Sequence, residues 1–303
     1  MMDWEELLIK LYFEISELYL EELQWHCQRY SNNRKWQKDR ISDEEVLTIY
    51  LFGILRHRRN VKEIFEYAND HLRSWFPSLP SYQKFNERLN RMQHALCQLS
   101  MILMHRIELP RELVASQQQI DAVIDSMPII LAKGQRSDGA KVARGLANKG
   151  RCASKNLYYH GLKLHHLGLC CPKKMPLPIY FYISSASAND SRIFKEYIAP
   201  NFRHLRVYGD KIYHEPEAMN WLKMDYDIEL MPCQKRKIGQ EYLKADQKYW
   251  NTMISQARQP VESFFNWIEE KTAIQIASKV RSTAGLFKHI FGKLAAALFS
   301  LIF

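Results

Sequence analysis

Three acidic residues are the clearest candidates for chemistry in this sequence. Asp125 ends the alternating stretch QQIDAVID, Asp210 follows the apolar stretch HLRVYG, and Glu262 lies in SQARQPVESFFNW. Both stretches are predicted strands, and the end of a strand can hold a carboxylate rigidly beside an open cleft. Mg²⁺ takes few carboxylates and keeps room for water and phosphate oxygens, and two such ions about 4 Å apart can serve the attacking and leaving oxygens of a phosphoryl transfer. The three acids therefore predict metal-dependent phosphoryl transfer, with three unrelated surface acids as the alternative.

Glu262 is predicted to lie on a helix that also carries Arg258. The two residues are four apart in sequence, so their side chains share a face of the helix. Pro260 lacks an N–H and fits best in a first helical turn, which predicts a helix start near Gln259 and places Glu262 close to the positive end of the helix dipole. Arg258 could then hold a phosphate near the metal ions, or form a plain ion pair with Glu262.

Asp121 competes with Asp125 for the first acidic position. Four strand residues at about 3.3 Å each separate the two aspartates by about 13 Å, so both cannot bind the same pair of metal ions. Pro128 keeps Met127 extended and is expected to end regular pairing. We therefore choose Asp125, which is predicted at the end of the strand, and expect Asp121 at the rim of the site.

The charge of the chain favours a polyanionic partner. The 303 residues carry a formal charge of +10 and a pI near 9.2, and 47% of them are hydrophobic. That content allows a packed core, and the positive balance favours nucleic acid over a merely basic surface. Residues 133–155 hold seven Lys or Arg against one acid, and residues 235–248 hold five against two. Both segments are predicted to be basic loops, either solvated or beside DNA.

The cysteines and the termini favour a cytoplasmic protein. The six cysteines form no CxxC pair and no zinc-type spacing with histidine, so we expect them to be reduced, as in the cytosol. The N-terminus lacks the basic-then-apolar order of a signal peptide. The apolar run 294–303 is too short to span a bilayer and is expected to be the buried face of a closing helix.

The predicted secondary structure, which must position the acids, changes near residue 110. Before it, apolar residues recur at helical spacing, and Ser42 with Glu45 forms a capping box that Asn60 with Glu63 repeats. These patterns predict about four helices, the last of them from Ser81 to about residue 107, and a helix-turn-helix-like contact with DNA is possible there. After it, strands are predicted at 118–125, 157–167, 177–185, 204–209 and 227–231, with helices from 190, 215, 259 and 283. The prediction is a helical domain over 1–110 and, over 111–303, an α/β domain with a mixed sheet flanked by helices.

The acids and their surroundings resemble a known family. Asp125 in IDSMPI, Asp210 in VYGDKIY and Glu262 in RQPVESFFNWI are similar to the three acids of DDE-type bacterial insertion-sequence transposases. The nearest resemblance is to the insertion-sequence family numbered 982, related to a broader group with an Arg-x-x-x-Glu signature, and it extends to YYHGLKLH and to the closing RSTAGLFKHIFGKLAAALF. It implies a ribonuclease-H-like catalytic domain with two Mg²⁺ or Mn²⁺ ions per active site, held by Asp125, Asp210 and Glu262. It also implies nicking of double-stranded DNA at the element's ends, followed by attack of the freed 3′-hydroxyl on target DNA.

The resemblance departs from the related signature at three positions. Ser255 stands where a tyrosine is usual, Glu269 where a lysine is usual, with Lys271 nearby, and Ile212 where a glycine is usual. These positions concern auxiliary phosphate contacts rather than the acids. Candidate contacts with DNA are cationic, aromatic or histidine residues near the acids or in the basic segments: Arg258, Lys211, Tyr213, Lys163, His165, Lys271, Arg144, Lys149, Lys235 and Arg236.

The resemblance implies a transposase whose N-terminal helices bind the terminal repeats, as a homodimer that bridges both ends in the DNA complex, with no role for a membrane. Two alternatives stay open. A metal-dependent nuclease without strand transfer would use the same acids. A non-catalytic DNA-binding protein derived from a transposase would be free to lose any one of them, and this chain keeps all three.

Overall fold

The computed structural model describes residues 3–27, 41–108, 119–153, 155–171, 173–236 and 238–303. The chain forms two compact units, one of Met1–Arg106 with Ile268–Phe303 and one of Ile107–Trp267. The predicted domain boundary near residue 110 lies outside the described residues. The structure groups the closing segment Ile268–Phe303 with the N-terminal helices, whereas the sequence predicted it with the sheet.

The second unit, which we call the sheet unit, is built on six strands: β1 (Ile120–Lys133), β2 (Asn148–Cys152), β3 (Leu157–Leu169), β4 (Leu177–Ser185), β5 (Leu205–Gly209) and β6 (Ile228–Pro232). Their order is β2-β3-β1-β5-β6, with β4 also paired to β3. The strands β1 to β4 pair antiparallel, and β1, β5 and β6 pair parallel. The prediction of a mixed sheet is confirmed, and its strands β3 to β6 begin within a residue of the predicted positions.

Helices accompany the parallel half of the sheet. The short α6 (Asp190–Ile193) continues into a π-helical turn at Phe194–Ile198 and precedes β5, while α7 (Pro216–Tyr226) joins β5 to β6. Apolar side chains of β1, β3, β5 and β6 pack against these segments in one buried cluster that includes Ile124, Leu167, Phe194, Val207 and Leu222. This core fixes the position of β1 relative to β5, and the site described below depends on that position.

The first unit, the helical unit, contains α1 (Trp4–Glu21), α2 (Asp43–Leu55), α3 (Val61–His71), α4 (Tyr82–Arg91), α5 (Gln93–His105) and α9 (Thr283–Ile302). The capping box of Ser42 and Glu45 is present, and the Asn60 side chain accepts hydrogen bonds at the start of α3. The long helix predicted from Ser81 is wrong in one respect, because it breaks at Met92 into α4 and α5.

The closing helix α9 has the length and the composition of a membrane span, although the run 294–303 alone does not. Within the described residues 72% of its most apolar window is buried inside the protein, as in the core helix of a folded domain. Its residues Leu294 to Phe299 are all buried. The interpretation of this segment as the buried face of a closing helix is confirmed.

Three predicted boundaries in the sheet unit are wrong. Strand β1 continues through Pro128 to Lys133, so Asp125 lies inside the strand. Pro128 is tolerated because β1 pairs with β5 only over Ile120–Val123, which leaves that edge of β1 unpaired beyond it. The basic segment 133–155 contains β2, which pairs with β3. The long helix α8 (Ala245–Thr272) begins well before Gln259 and carries Pro260 in its interior, so Glu262 is far from the positive end of the dipole.

Candidate active site

The register of β1 against β5 brings Asp125 and Asp210 to one level. The parallel pairing runs from Ile120 opposite Leu205 to Val123 opposite Tyr208. Asp125 is two residues beyond Val123, and Asp210 is two residues beyond Tyr208. The two carboxylates therefore leave neighbouring strands at the same height, where β5 ends and β1 continues paired with β3 only.

Arg258 joins the two aspartates. Its Nη2 lies 2.9 Å from Oδ2 of Asp125 and its Nη1 lies 3.8 Å from Oδ1 of Asp210. The side chain of Arg258 is 17% exposed and that of Asp125 is 27% exposed. Arg258 thus forms its ion pairs with the strand acids, and the alternative of a plain pair with Glu262 does not match the structure.

Glu262 lies one helical turn after Arg258 on α8 and is exposed. Both side chains line a groove of about 520 Å³ along α8, together with Asn251, Ser255 and Gln259. Among the described residues, the structure shows neither a hydrogen bond nor an ion pair for the Glu262 carboxylate. The helix therefore carries Glu262 on the face that approaches the two aspartates through Arg258.

A fourth acid, Asp190, belongs to the same group of charges. Its Oδ1 accepts a hydrogen bond from Lys163 Nζ at 2.7 Å, and its Oδ2 accepts one from Ser126 Oγ at 3.1 Å. Ser126 directly follows Asp125, and its backbone N–H donates to Asp125 Oδ1 at 2.8 Å. We call Asp125, Asp190, Asp210, Lys163 and Arg258 the acid cluster.

Asp190 was not predicted as a member of the site, because its position in the sequence indicates the start of a helix. Its contacts come from β1 and β3, which are far from it in sequence. The alternating placement of Lys163 on β3 was the one available signal, since it predicts a cation on a single face of that strand.

Asp121 lies outside the acid cluster. Tyr208 donates its hydroxyl hydrogen to Asp121 Oδ1 at 3.2 Å, and Arg206 lies 3.6 Å from the same oxygen. Arg206 also pairs with Glu229 at 3.1 Å. The choice of Asp125 over Asp121 therefore has a structural counterpart, because only Asp125 contacts the guanidinium that also approaches Asp210.

Burial and charge set the protonation of the cluster. Burial raises the pKa of Asp125, while the Arg258 guanidinium and the Ser126 backbone N–H oppose that rise. Tyr213, whose side chain is buried, has its pKa raised by burial first and by Asp190 next. Three carboxylates of this region, those of Asp125, Asp190 and Asp210, therefore share the two cations Lys163 and Arg258.

Three of the predicted DNA contacts are held inside the sheet unit. Tyr213 is 1% exposed and packs in the core cluster, and His165 is 0% exposed with Nε2 2.7 Å from Ser184 Oγ. Burial also lowers the pKa of His165 to about 4, so the ring is neutral. Lys163 donates to Asp190 and to the Ala188 carbonyl. These positions do not fit a direct contact with DNA, because packing decided the face on which each side chain lies.

The other predicted contacts are placed at the surface. Lys211 and Lys235 are exposed, Arg144 donates to the Ala140 carbonyl, Arg236 donates to the Glu241 carbonyl, Lys149 pairs with Asp138, and Lys271 is exposed in the helical unit. Lys211 directly follows Asp210 in sequence, and the contact of these six residues with DNA stays a prediction.

The carboxylates of the site can be compared with the ligands that a divalent cation takes. Within the described ranges, no three His, Cys, Asp or Glu side chains form a metal-binding group. Two carboxylates do converge on one cation at Arg258, and Mg²⁺ itself takes only one or two carboxylates with water and phosphate oxygens. Asp125 and Asp210 therefore fit one shared cation, and Glu262 on the same helix face as Arg258 is the available third acid.

Comparison with known proteins supports this architecture. The model of the transposase DDE domain family matches residues 116–299, which is more than half of the chain. Comparisons with curated proteins and with solved structures found no match. The matched region contains the whole acid cluster and Glu262, and a DDE domain implies a ribonuclease-H-like fold, in agreement with the mixed sheet flanked by helices. The chain belongs to the family of proteins with a DDE transposase domain.

Proposed function

We propose that this protein is a DDE transposase whose Asp125, Asp210 and Glu262 carry DNA strand nicking and 3′-hydroxyl strand transfer. The observation that supports this most is the pairing of β1 with β5, which brings Asp125 and Asp210 to one level beside Arg258. Membership of the family supports an enzyme that acts on DNA. The closer relation to the insertion-sequence family numbered 982 belongs to this proposal as well.

The residues of the cluster have separate roles in the proposed reaction. Asp125 and Asp210 hold positive charge at the level where β5 ends, and Glu262 adds a third carboxylate from α8. Divalent metal ions, which this family typically uses, would stabilise charge on the reacting phosphate and lower the pKa of the attacking water when bound. Arg258 is placed to move its guanidinium from the aspartates to a phosphate oxygen, since Arg binds carboxylate and phosphate in the same bidentate way.

Residues other than the three acids also support DNA as the partner. The exposed cations Lys211, Lys235, Arg144 and Arg236 would give salt-dependent affinity for the phosphate backbone. The N-terminal helices would read the terminal repeats, and a homodimer would hold two ends together. We propose Mg²⁺ or Mn²⁺ as the cofactor, and the cytoplasm as the location.

The proposal is tested by cleavage of a labelled duplex that carries the element's end, in Mg²⁺, Mn²⁺ or EDTA. The wild type is compared with Asp125→Asn, Asp210→Asn and Glu262→Gln, each checked for folding by circular dichroism. Asp121→Asn is the matched control, because it removes the same charge on the same strand. Metal-dependent nicking that is lost in the three variants and kept in the control supports the site, whereas activity that depends on Asp121 instead of Asp125 contradicts it.

Strand transfer needs its own measurement. A duplex with a pre-cut 3′ end is incubated with a supercoiled plasmid, and joined products are counted. Nicking without joining would favour a nuclease that uses the same acids. Tight DNA binding with neither reaction would favour a non-catalytic protein derived from a transposase.

A further inference from the structure

The helical unit contains a large cavity that shares no residue with the acid cluster. Its volume is about 760 Å³, within the range of sites that hold small ligands. It is lined by α2, by the first turn of α3, by α4, by the segment 273–282 and by α9. All of these segments belong to the helical unit.

Two buried lysines of α9 line this cavity. Lys288 is 6% exposed and Lys293 is 2% exposed. Lys288 donates to Asn86 Oδ1 at 2.9 Å, and Lys293 donates to the backbone carbonyls of Arg59 at 3.2 Å and Ala273 at 2.9 Å. Among the described residues neither ammonium has a carboxylate within ion-pair distance. Both lysines therefore have neutral acceptors only, although a buried charge normally needs an opposite charge.

The other charged groups around the cavity do not supply that opposite charge. Four more cations line it: Arg59, Lys62, Lys279 and Arg281. The two acids in the lining are already engaged, since Glu63 accepts from the Arg59 N–H and from the Asn60 side chain, and Glu66 lies 3.6 Å from Lys62. With six cations against two acids, the lining is strongly positive.

Two helices also begin at this cavity. Residues 60–64 include the cap and first turn of α3, and Ser282 with Gly285 belongs to the cap and first turn of α9. The positive ends of both helix dipoles add to the charge of the lysines. Burial lowers the pKa of Lys293 to about 7 and that of Lys288 to about 8, although the charges of Glu269 and Glu63 act to raise the pKa of Lys293.

A purely structural role is the competing explanation. Lys293 Nζ links the Arg59 and Ala273 carbonyls, and such a link could clip two segments to α9. A clip accounts for these hydrogen bonds and for that of Lys288 to Asn86, but not for the four other cations and the open volume in front of them. A neutral donor would clip the same carbonyls without the cost of a buried charge.

We propose that this cavity is a phosphate-binding site, with Lys288 and Lys293 as its principal ligands, and that it takes backbone phosphates of a nucleic-acid strand. The proposal rests on the DNA-directed function of the family and adds a second site to it. The shared chemistry is the phosphate group, which could also come from free phosphate, and the experiment separates these two sources.

The test measures binding to a labelled duplex of random sequence, by fluorescence anisotropy in EDTA, so that no cleavage is required. Wild type is compared with Lys288→Met and Lys293→Met, which keep the length of the side chain and remove the charge. Lys223→Met is the matched control, because it removes the same charge from an exposed residue of the sheet unit. Thermal unfolding of each protein is recorded with and without inorganic phosphate.

We expect each cavity variant to lose about 10-fold or more in affinity for DNA, as for a lost hydrogen bond to a charged group, and the control to lose less than about 2-fold. The melting temperatures of the cavity variants without ligand should equal or exceed that of the wild type. Unchanged affinity for DNA together with a lower melting temperature would mean a structural clip and would overturn the proposal.

Thermal unfolding in inorganic phosphate gives the remaining outcome. If phosphate raises the melting temperature of the wild type but not of Lys293→Met, while DNA affinity is equal in both, the nucleic-acid part of the proposal is wrong. If Lys293→Met fails to fold, Lys288→Met decides the question. Asp125→Asn should bind the duplex as well as the wild type does, so a failure of the catalytic proposal is distinguishable from a failure of this one.

Discussion

The acid cluster and the cavity of the helical unit, which we call the lysine cavity, differ in how their buried charges are compensated. In the acid cluster, Asp125 and Asp210 share Arg258, and Asp190 has Lys163. In the lysine cavity, within the part of the chain that the structure describes, Lys288 donates to a side-chain amide and Lys293 to two backbone carbonyls, and neither has a carboxylate partner. Charges that are compensated inside the chain stabilise the fold around them, whereas charges left without a partner favour a ligand of opposite sign. The difference indicates which of the two regions would bind an external anion and which would bind a cation.

The largest expected effect concerns turnover. Asp125→Asn keeps the shape of the side chain and removes its charge, so nicking at saturating DNA should fall by about 1,000-fold, which corresponds to roughly 4 kcal/mol of the barrier. Lys293→Met should show the reverse pattern, with weaker binding and nearly unchanged turnover at saturation. Single-turnover cleavage with varied DNA separates these two outcomes, and equal effects of both variants on turnover would break the comparison.

Removal of the Arg258 charge from the acid cluster should lower the free energy of unfolding. Arg258→Met leaves Asp125 partly buried without its partner, and we expect the free energy of unfolding to fall by about 2 to 4 kcal/mol. Urea denaturation at pH 7 measures the change. Lys195→Met is a control, because it removes a cation from the more exposed ion pair with Glu215. A loss for Arg258→Met no larger than for this control would show that the cluster is not held by its charges.

The lysine cavity should give stability a dependence on pH. The folded pKa of Lys293 is lowered to about 7, and that of the unfolded chain is about 10.4. Between these values the unfolded chain binds the extra proton, so stability should rise with pH, by up to about 1.4 kcal/mol per pH unit for this lysine. Urea denaturation from pH 7 to pH 9.5 should show a flatter rise in Lys293→Met than in the wild type. Parallel curves would mean that folding does not lower the pKa of Lys293.

The smallest expected effect is that of Asp190. Asp190→Asn keeps acceptors and donors near Ser126 and Lys163 but removes the charge, so we expect a loss of about 1 kcal/mol in the free energy of unfolding. Asp138→Asn, whose partner Lys149 is exposed, is the control and should change stability by less than about 0.5 kcal/mol. A gain in stability for Asp190→Asn would mean that repulsion from Asp125 and Asp210 outweighs the ion pair of Asp190 with Lys163.

Much of the fold could be predicted because local patterns carry it. Runs rich in aromatic and β-branched residues predicted β3 and β4, and the side-chain caps at Ser42 and Asn60 predicted the starts of α2 and α3. The error at α8 shows the limit of such rules. Pro260 favours a first helical turn, yet packing of residues such as Val261 and Phe264 continues the helix through it.

The candidate site was predicted in part. Asp125, Asp210 and Arg258 were chosen from their types and positions, and the structure brings these three together. Asp190 was missed, and His165 and Tyr213, which were candidate contacts with DNA, are buried. For His165, a period of two along β3 shows that residues alternate between faces, but it does not show which face is covered. Tyr213 lies in the short turn after β5, to which that period does not apply.

The sequence by itself determined the types of residue that can hold metal ions and phosphate, the helices and strands that carry them, and a basic chain with apolar content for a core. Only the tertiary structure decided their partners. The register of β1 against β5 placed Asp125 and not Asp121 beside Asp210, and the packing of α9 buried Lys288 and Lys293 without carboxylates. Local propensity acts over a few residues, whereas these pairings join segments far apart in the chain, so they depend on the free energy of the whole fold.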